Sequence, residues 1–201
     1  MSEPAINRAI EIFKHCGGVM ATKEVIDAGV QYRTLYEMRD QGLLERVSRG
    51  RYRLATLPPL SNPDLAVVGL RVPRGVICLI SALAFHNLTT QVPHYIYVAL
   101  PRNSEKPRLD HPPVHIFSFS GRAFSEGIET HQIDSINVRV YSPAKTVADC
   151  FRFRNQIGPD VALEGLKLYH RTSDFNVDEL MKFARICRVE KIMRPYVEAI
   201  L

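Results

Sequence analysis

Six arginines crowd a short stretch of this chain: Arg33, Arg39, Arg46, Arg49, Arg51 and Arg53. Only Glu37, Asp40 and Glu45 oppose them, a net +3 across residues 31–54. A guanidinium forks two N–H donors toward phosphate oxygens, or toward O6 and N7 of guanine. Such density therefore points to a polyanion. The neighbouring residue types agree. Gln31 carries an amide that matches the N6 and N7 edge of adenine. Tyr32, Thr34, Tyr36 and Ser48 carry hydroxyls suited to phosphate oxygens.

Other residues carry chemistry with less support. His111-Pro112-Pro113-Val114-His115, with His131 further on, has the residue types of a metal clip. The prolines forbid a helix there, and no carboxylate stands at a ligating interval. A polar loop with two histidines is the simpler reading, so no metal is expected. Ser142, Lys145 and Asp149 hold the types of a Ser/Lys nucleophile. A helix N-cap at Ser142 and an i,i+4 ion pair between Lys145 and Asp149 explain them more simply. Arg152 and Arg154 alternate with Phe151 and Phe153, as at an exposed basic helix end. A nucleic acid or an acidic partner would be the functional alternative there. No Walker loop, G-x-G-x-x-G, G-x-S-x-G or H-E-x-x-H occurs, so neither an enzyme nor a cofactor is expected. Cys16, Cys78, Cys150 and Cys187 form no C-x-x-C pair and read as buried small hydrophobes of a reducing cytosol.

The elements that must position the arginines are legible. Ile6, Ala9, Ile10 and Phe13 fall on one helical face, which Gly17-Gly18 ends. Val19-Met20-Ala21 is a short extended stretch. Thr22 reads as the N-cap of a second helix, with Val25 and Ile26 inward, stopping at Gly29. A third helix begins near Gln31 with Leu35 and Met38 inward and ends at Gly42. Two short helices joined by a Gly-containing turn form a helix-turn-helix. Leu43–Val47 and Arg51–Leu54 then read as strands around a Ser48-Arg49-Gly50 turn, which is a wing. Period-2 alternation puts Arg51 and Arg53 on one face and Tyr52 on the other. A winged helix lays its recognition helix in the major groove, with the N-terminal residues nearest the bases. Packing of either tyrosine beneath that helix, and pairing of Arg39 with a helical acid, are the structural alternatives.

Three prolines between Pro58 and Pro63 mark a linker. Residues 1–56 form the expected DNA-binding domain, 57–64 the linker, and 65–201 an α+β domain. In the last, helices are expected at Pro63–Leu70 and Ser81–Leu88, the second capped by Ser81. Strands are expected at Tyr95–Leu100, Val114–Phe119, Ile128–Ile133 and Ile136–Tyr141. Helices follow Ser142-Pro143, at 159–170, 176–188 and 189–200. The fold class is α+β: a winged helix-turn-helix, then a mixed domain with a small sheet and a helical C-terminal segment.

Whole-chain figures are weaker guides. The 201 residues hold 26 Lys and Arg against 21 Asp and Glu, a net +5. That surplus is too mild to name a partner. Residues 71–122 carry six bases and two acids with no assigned role. No apolar run reaches the ~18–20 residues of a membrane helix. No secretory signal is visible, so a cytoplasmic location is expected.

In order and spacing, several short motifs resemble the AbiEi family of antitoxins and repressors. In the first part these are Gly18-Val19-Met20-Ala21-Thr22, Gly29-Val30, Leu35-Tyr36-Glu37-Met38, Gly42–Val47 and Gly50–Leu54. In the second part they are Ser81-Ala82-Leu83-Ala84, Leu88-Thr89-Thr90, Pro101-Arg102 and Val140–Asp149. The resemblance implies a DNA-binding antitoxin that represses its own operon through inverted repeats. It also implies a nucleotidyltransferase-like toxin as functional partner, met directly or through its target, in abortive infection and phage defence. Operator binding would use a homodimer or cooperatively loaded monomers. Lys145, Asp149, Arg152 and Arg154 are the residues expected at the antitoxin surface. A winged-helix regulator whose second domain senses a small ligand is the alternative. A nuclease with a winged-helix targeting module is a third, and the sequence holds no acidic cluster for it.

Overall fold

A computed structural model describes residues 3–201. The chain divides into two compact units: residues up to 71 together with 132–137, and the remainder, 72–131 with 138–201. The division falls after Arg71, beyond the proline-rich segment where the sequence suggests a linker.

The first unit holds α1 (Glu3–His15), β1 (Val19–Ala21), α2 (Thr22–Asp27), α3 (Tyr32–Asp40), β2 (Leu44–Ser48), β3 (Arg51–Leu54) and α4 (Pro63–Arg71). Its core gathers Ala9, Phe13, Met20, Val25, Leu35, Met38, Leu44, Tyr52 and Leu54. Burying a side chain such as Phe13 contributes roughly 1.5–3 kcal/mol. Gly18 ends α1 by donating to the Phe13 carbonyl at 2.7 Å. Its φ is +80°, a left-handed conformation that strains any residue with a Cβ, and a Cβ there would also displace the Leu57 methyl 2.6 Å away. The N-cap of α2 is Ala21 rather than Thr22. The Glu24 carboxylate accepts from the Ala21 N–H at 2.6 Å and performs the capping. Thr22 is engaged elsewhere: its N–H and hydroxyl both donate to the Gly50 carbonyl, at 2.8 and 3.2 Å. The three strands run β1-β3-β2, all antiparallel. Asn62 caps α4 by accepting from the Leu65 N–H at 3.1 Å. In the 132–137 segment, Asp134 accepts from the N–H and hydroxyl of Ser61, at 2.8 and 3.0 Å.

The second unit holds β4 (Val76–Ile77), α5 (Leu79–Phe85), β5 (Ile96–Pro101), β6 (Val114–Phe119), α6 (Arg122–Ser125), β7 (Ile128–Ile133), β8 (Ile136–Tyr141), α7 (Pro143–Arg152), α8 (Arg154–Ile157), α9 (Pro159–His170), α10 (Val177–Ile186) and α11 (Glu190–Glu198). The tip shared by β7 and β8 counts with the first unit. The five strands are ordered β6-β5-β4-β8-β7, with β5–β6 and β4–β8 parallel and β4–β5 antiparallel. Asp134 and Ser135 both have positive φ, as the two-residue turn of a right-twisted hairpin requires. α5 starts two residues before Ser81, capped at Cys78. Ser81 lies inside it, donating to the Tyr95 carbonyl (3.2 Å) and accepting from the Tyr97 N–H (2.9 Å). Ser142 caps α7 as expected, accepting from the Lys145 N–H with Pro143 in the first turn. Helices α5, α9, α10 and α11 all pack on α7, which becomes the centre of this core. Three cysteines are buried there, but Cys16 is exposed at the end of α1.

Candidate nucleic-acid interface

α3 separates its faces by the helical period. Thr34, Leu35 and Met38 are buried, while Gln31, Tyr32, Arg33, Tyr36 and Arg39 are exposed. Thr34 was expected at a phosphate; at 4% exposed it is instead part of the packed face. It stands one residue before Leu35 and four before Met38, on the side turned to α1 and β2. Neither tyrosine packs beneath the helix: Tyr32 is 54% and Tyr36 42% exposed. Their rings stack at 6.4 Å, and the Arg39 guanidinium lies 5.0 Å over Tyr36. Arg39 also bonds Asp40 through two nitrogens, at 2.6 and 2.8 Å, so the pairing alternative holds for this residue. Arg33 is unlike it. Among the described residues no carboxylate lies in ion-pair distance of Arg33. Its fork is therefore available to an outside acceptor. Arg33, Tyr36, Glu37, Asp40 and Gln41 line a shallow hollow along the helix.

The wing places its arginines unequally. Arg46 is exposed, its Nε donating to the Ser48 carbonyl at 3.3 Å. Arg49 is exposed at the turn, followed by Gly50 at φ +71°. Arg51 is half-buried, 3.8 Å from Glu24. Arg53 is only 4% exposed, bonding Glu45 at 3.3 Å and donating to the Pro58 carbonyl. It is removed from the contact set. β3 is the central strand and both its faces are covered at this point, so Tyr52 and Arg53 are both buried and sharing a face with Arg51 does not bring Arg53 to solvent. A register shift between Arg46 and Ser48 breaks the period in β2. The Ser48 hydroxyl is buried without a hydrogen-bond partner, so it too faces inward rather than toward a phosphate.

One cation escaped sequence reasoning. Arg71, in the last turn of α4, donates from Nη1 to the Arg49 carbonyl at 3.3 Å. It brings a further positive charge to the wing turn. Its signal was present as a basic residue closing a helix, but it lay past the expected end of the domain.

In the second unit, the residues expected on an antitoxin surface divide. Lys145 and Asp149 are fully buried and pair with each other, so neither forms a surface. Burial pushes the Asp149 carboxyl up from the ordinary range, while Lys145 and the Cys187 thiol oppose it. That thiol donates to Asp149 Oδ1 at 3.1 Å, and burial raises its own pKa. Lys145 Nζ also lies 4.1 Å over the Tyr141 ring. The i,i+4 pair is thus a sealed core feature and not a nucleophile. Arg152 and Arg154 remain half-exposed, Arg154 donating to the Phe151 carbonyl at 2.9 Å. His115 packs against Tyr97 and Phe117, whereas His131 pairs with Glu129 and packs against Phe85. Among the described residues no group of three or more His, Cys, Asp or Glu is placed to hold a metal ion. No described helix is long and apolar enough to cross a membrane.

Residues 17–55 match the family model described as transcriptional regulator, AbiEi antitoxin. The match spans β1 through β3, the segment that carries the arginines, and it supports a DNA-binding regulator of the antitoxin class. The chain is also similar to the RV2827C protein from Mycobacterium tuberculosis, known from a crystal structure. Identity is 14%, coverage is 92% of this chain and 72% of that one, and the TM-score is 0.59. At that identity the likeness carries the fold alone, which is mixed α/β with an N-terminal winged helix. No curated protein matches the chain.

Proposed function

We propose that this protein is a DNA-binding antitoxin and autorepressor that binds inverted repeats in the promoter of its own operon. α3 enters the major groove. Arg33 reads a guanine and Gln31 an adenine, while Tyr32 and Tyr36 donate to the flanking phosphates. Arg46, Arg49, Arg51 and Arg71 neutralise the backbone beside the wing. A nucleotidyltransferase-like toxin is the functional partner, and phage defence by abortive infection is the setting. The observation that carries the reading is the outward, unpaired Arg33 on the exposed face of α3, in the segment matched by the family model. It works as a non-enzymatic regulator in the cytoplasm. Two copies on a repeat, as a dimer or as cooperative monomers, would supply the affinity one module lacks.

Two measurements test it. Fluorescence anisotropy with the protein's own upstream DNA should give specific binding, and Arg33→Ala should lose about 1–3 kcal/mol of it by relaxing discrimination at one base pair. Equal affinity for upstream and scrambled DNA would overturn the repressor reading. Co-expression with a nucleotidyltransferase-like toxin encoded in the same operon should relieve that toxin's growth arrest. Persistent arrest would remove the antitoxin assignment while leaving DNA binding standing.

A further inference from the structure

A hollow of about 450 Å³ opens in the second unit, within the range of small-ligand sites. Ser120, Gly121, Arg122, Arg152, Ile186 and Arg188 line it. Three arginines from three separate segments line one concavity. Arg122 is held by Glu126, Nε to Oε1 at 2.5 Å. Arg152 lies on two rings, 5.6 Å from the centre of Phe119 and 5.4 Å from that of Phe153. Stacking fixes the plane of a guanidinium and leaves its N–H edge free for an acceptor. Among the described residues no carboxylate lies in ion-pair distance of Arg152 or Arg188.

Arg188 carries the most information. α10 ends at Ile186, and the Val189 N–H closes it onto the Ala184 carbonyl at 2.8 Å. That closure leaves Arg188 as the left-handed residue just past the helix, at φ +60°. Glycine is the ordinary occupant of this position, because a Cβ is strained there. The chain keeps an arginine at that cost and lines the hollow with it. Such strain persists where the surrounding structure holds it, and here it sets Arg188 among the residues that line the hollow.

We propose that this hollow binds an organic phosphomonoester. Three arginines and Lys182, whose Nζ lies 3.8 Å from Glu126, outweigh that one carboxylate, and the positive surplus suits the charge of about −1.5 to −2 on a phosphomonoester at neutral pH. Arg152 and Arg188 grip the phosphoryl oxygens, and Arg122 completes the cradle. Ile186 and Ala123 offer an apolar wall to the ester group. The same chemistry has two sources, a free small ester or the 5′-phosphate end of a nucleic-acid strand.

Isothermal titration of the full chain distinguishes them. Adenosine 5′-monophosphate should bind and adenosine should not. Arg188→Gly and Arg152→Gln should each weaken binding about tenfold or more, the loss of a charge-assisted contact. Arg188→Gly removes the cation while suiting the backbone, so its melting temperature should equal or exceed that of the unaltered protein. A 5′-phosphorylated tetranucleotide that binds more tightly than the monophosphate, with its 5′-hydroxyl counterpart silent, assigns the strand end. Equal affinities assign the free ester. Adenosine binding as well as its monophosphate, no heat from either, or unchanged monophosphate affinity in Arg188→Gly overturns the proposal. So does a parallel loss of upstream-DNA affinity in Arg188→Gly, which would make the hollow part of a duplex surface.

Discussion

At the wing, Arg46 and Arg49 stand in solvent with no carboxylate in ion-pair distance among the described residues, whereas on α7 Lys145 and Asp149 are wholly buried and close on each other. Both regions carry charge at regular spacing, and in both the spacing invites a functional reading. The physics differs. An exposed guanidinium keeps most of its hydration and gives it up only to a strong external anion. A buried pair has already surrendered water on both sides, and its charges are committed to each other and to the Cys187 thiol. The same contrast runs within β3. Arg51 is half-exposed and only loosely paired with Glu24 at 3.8 Å, whereas Arg53, two residues on, is spent on Glu45 and Pro58. Charge marks a site only where the fold leaves it unspent.

The sharpest way to break this contrast is to remove one half of the buried pair. Lys145→Ala should lower the unfolding free energy by about 3–5 kcal/mol, because Asp149 loses its cation in the core and must bury an uncompensated charge or take up a proton there. Denaturant melts of Lys145→Ala and of Lys145→Met with Asp149→Leu check it. The double replacement should recover most of the loss, since an apolar pair of similar volume needs no water. Equal losses in both proteins would mean that the pair matters for packing rather than charge.

Arg53 gives the next effect. Arg53→Ala should cost about 2 kcal/mol of stability through its lost charged hydrogen bonds. The salt dependence of DNA binding should be unchanged in that protein. Arg49→Ala with Arg51→Ala should do the reverse. Stability should hold, and the slope of log affinity against log salt should flatten by about 1.8, at about 0.9 per phosphate contact. If Arg53→Ala flattens the slope and the wing pair does not, the assignment of spent and unspent arginines is inverted.

The smallest effect comes from a buried base. Burial holds the His86 pKa below the ordinary 6.5, against its hydrogen bond to the Tyr141 carbonyl and the nearby Glu129 charge. His131 adds to the lowering. The Nε2–H of His86 donates to that carbonyl at 2.8 Å, a bond the neutral ring makes as well as the charged one, so burial decides the direction. The unfolded chain then binds a proton that the folded chain refuses. Stability is full above about pH 6.5 and falls as pH drops toward the folded pKa, by no more than about 1.4 kcal/mol per pH unit. Urea melts from pH 7.5 to 5 should show the fall, and His86→Gln should flatten it. A flat profile in the unaltered protein would remove His86 as its source.

Much of this was written in the local sequence. The outward face of α3, the wing and the cap at Ser142 follow from short-range rules: helical period, a glycine free to take positive φ, a hydroxyl before Pro143. The lines of β6, β7 and β8 follow from alternation and β-branching, and the Lys145–Asp149 pair from its i,i+4 spacing. Burial did not follow. Thr34 and Arg53 have polar side chains and neighbours that suit a DNA contact. What hides them is packing against α1 and β2, and a central strand covered by Pro58. β4 is two residues long, too short for any period, and exists because β5 and β8 supply its partners. Lys145 and Asp149 look solvated until α9, α10 and α11 arrive from later in the chain. Arg188 looks like one more surface base until the closure of α10 forces it into the left-handed region beside Arg152. Residue type and near-neighbour spacing determined which groups could bind an anion. Tertiary structure decided which ones are free to, because the water a charge keeps depends on chain segments far away in sequence.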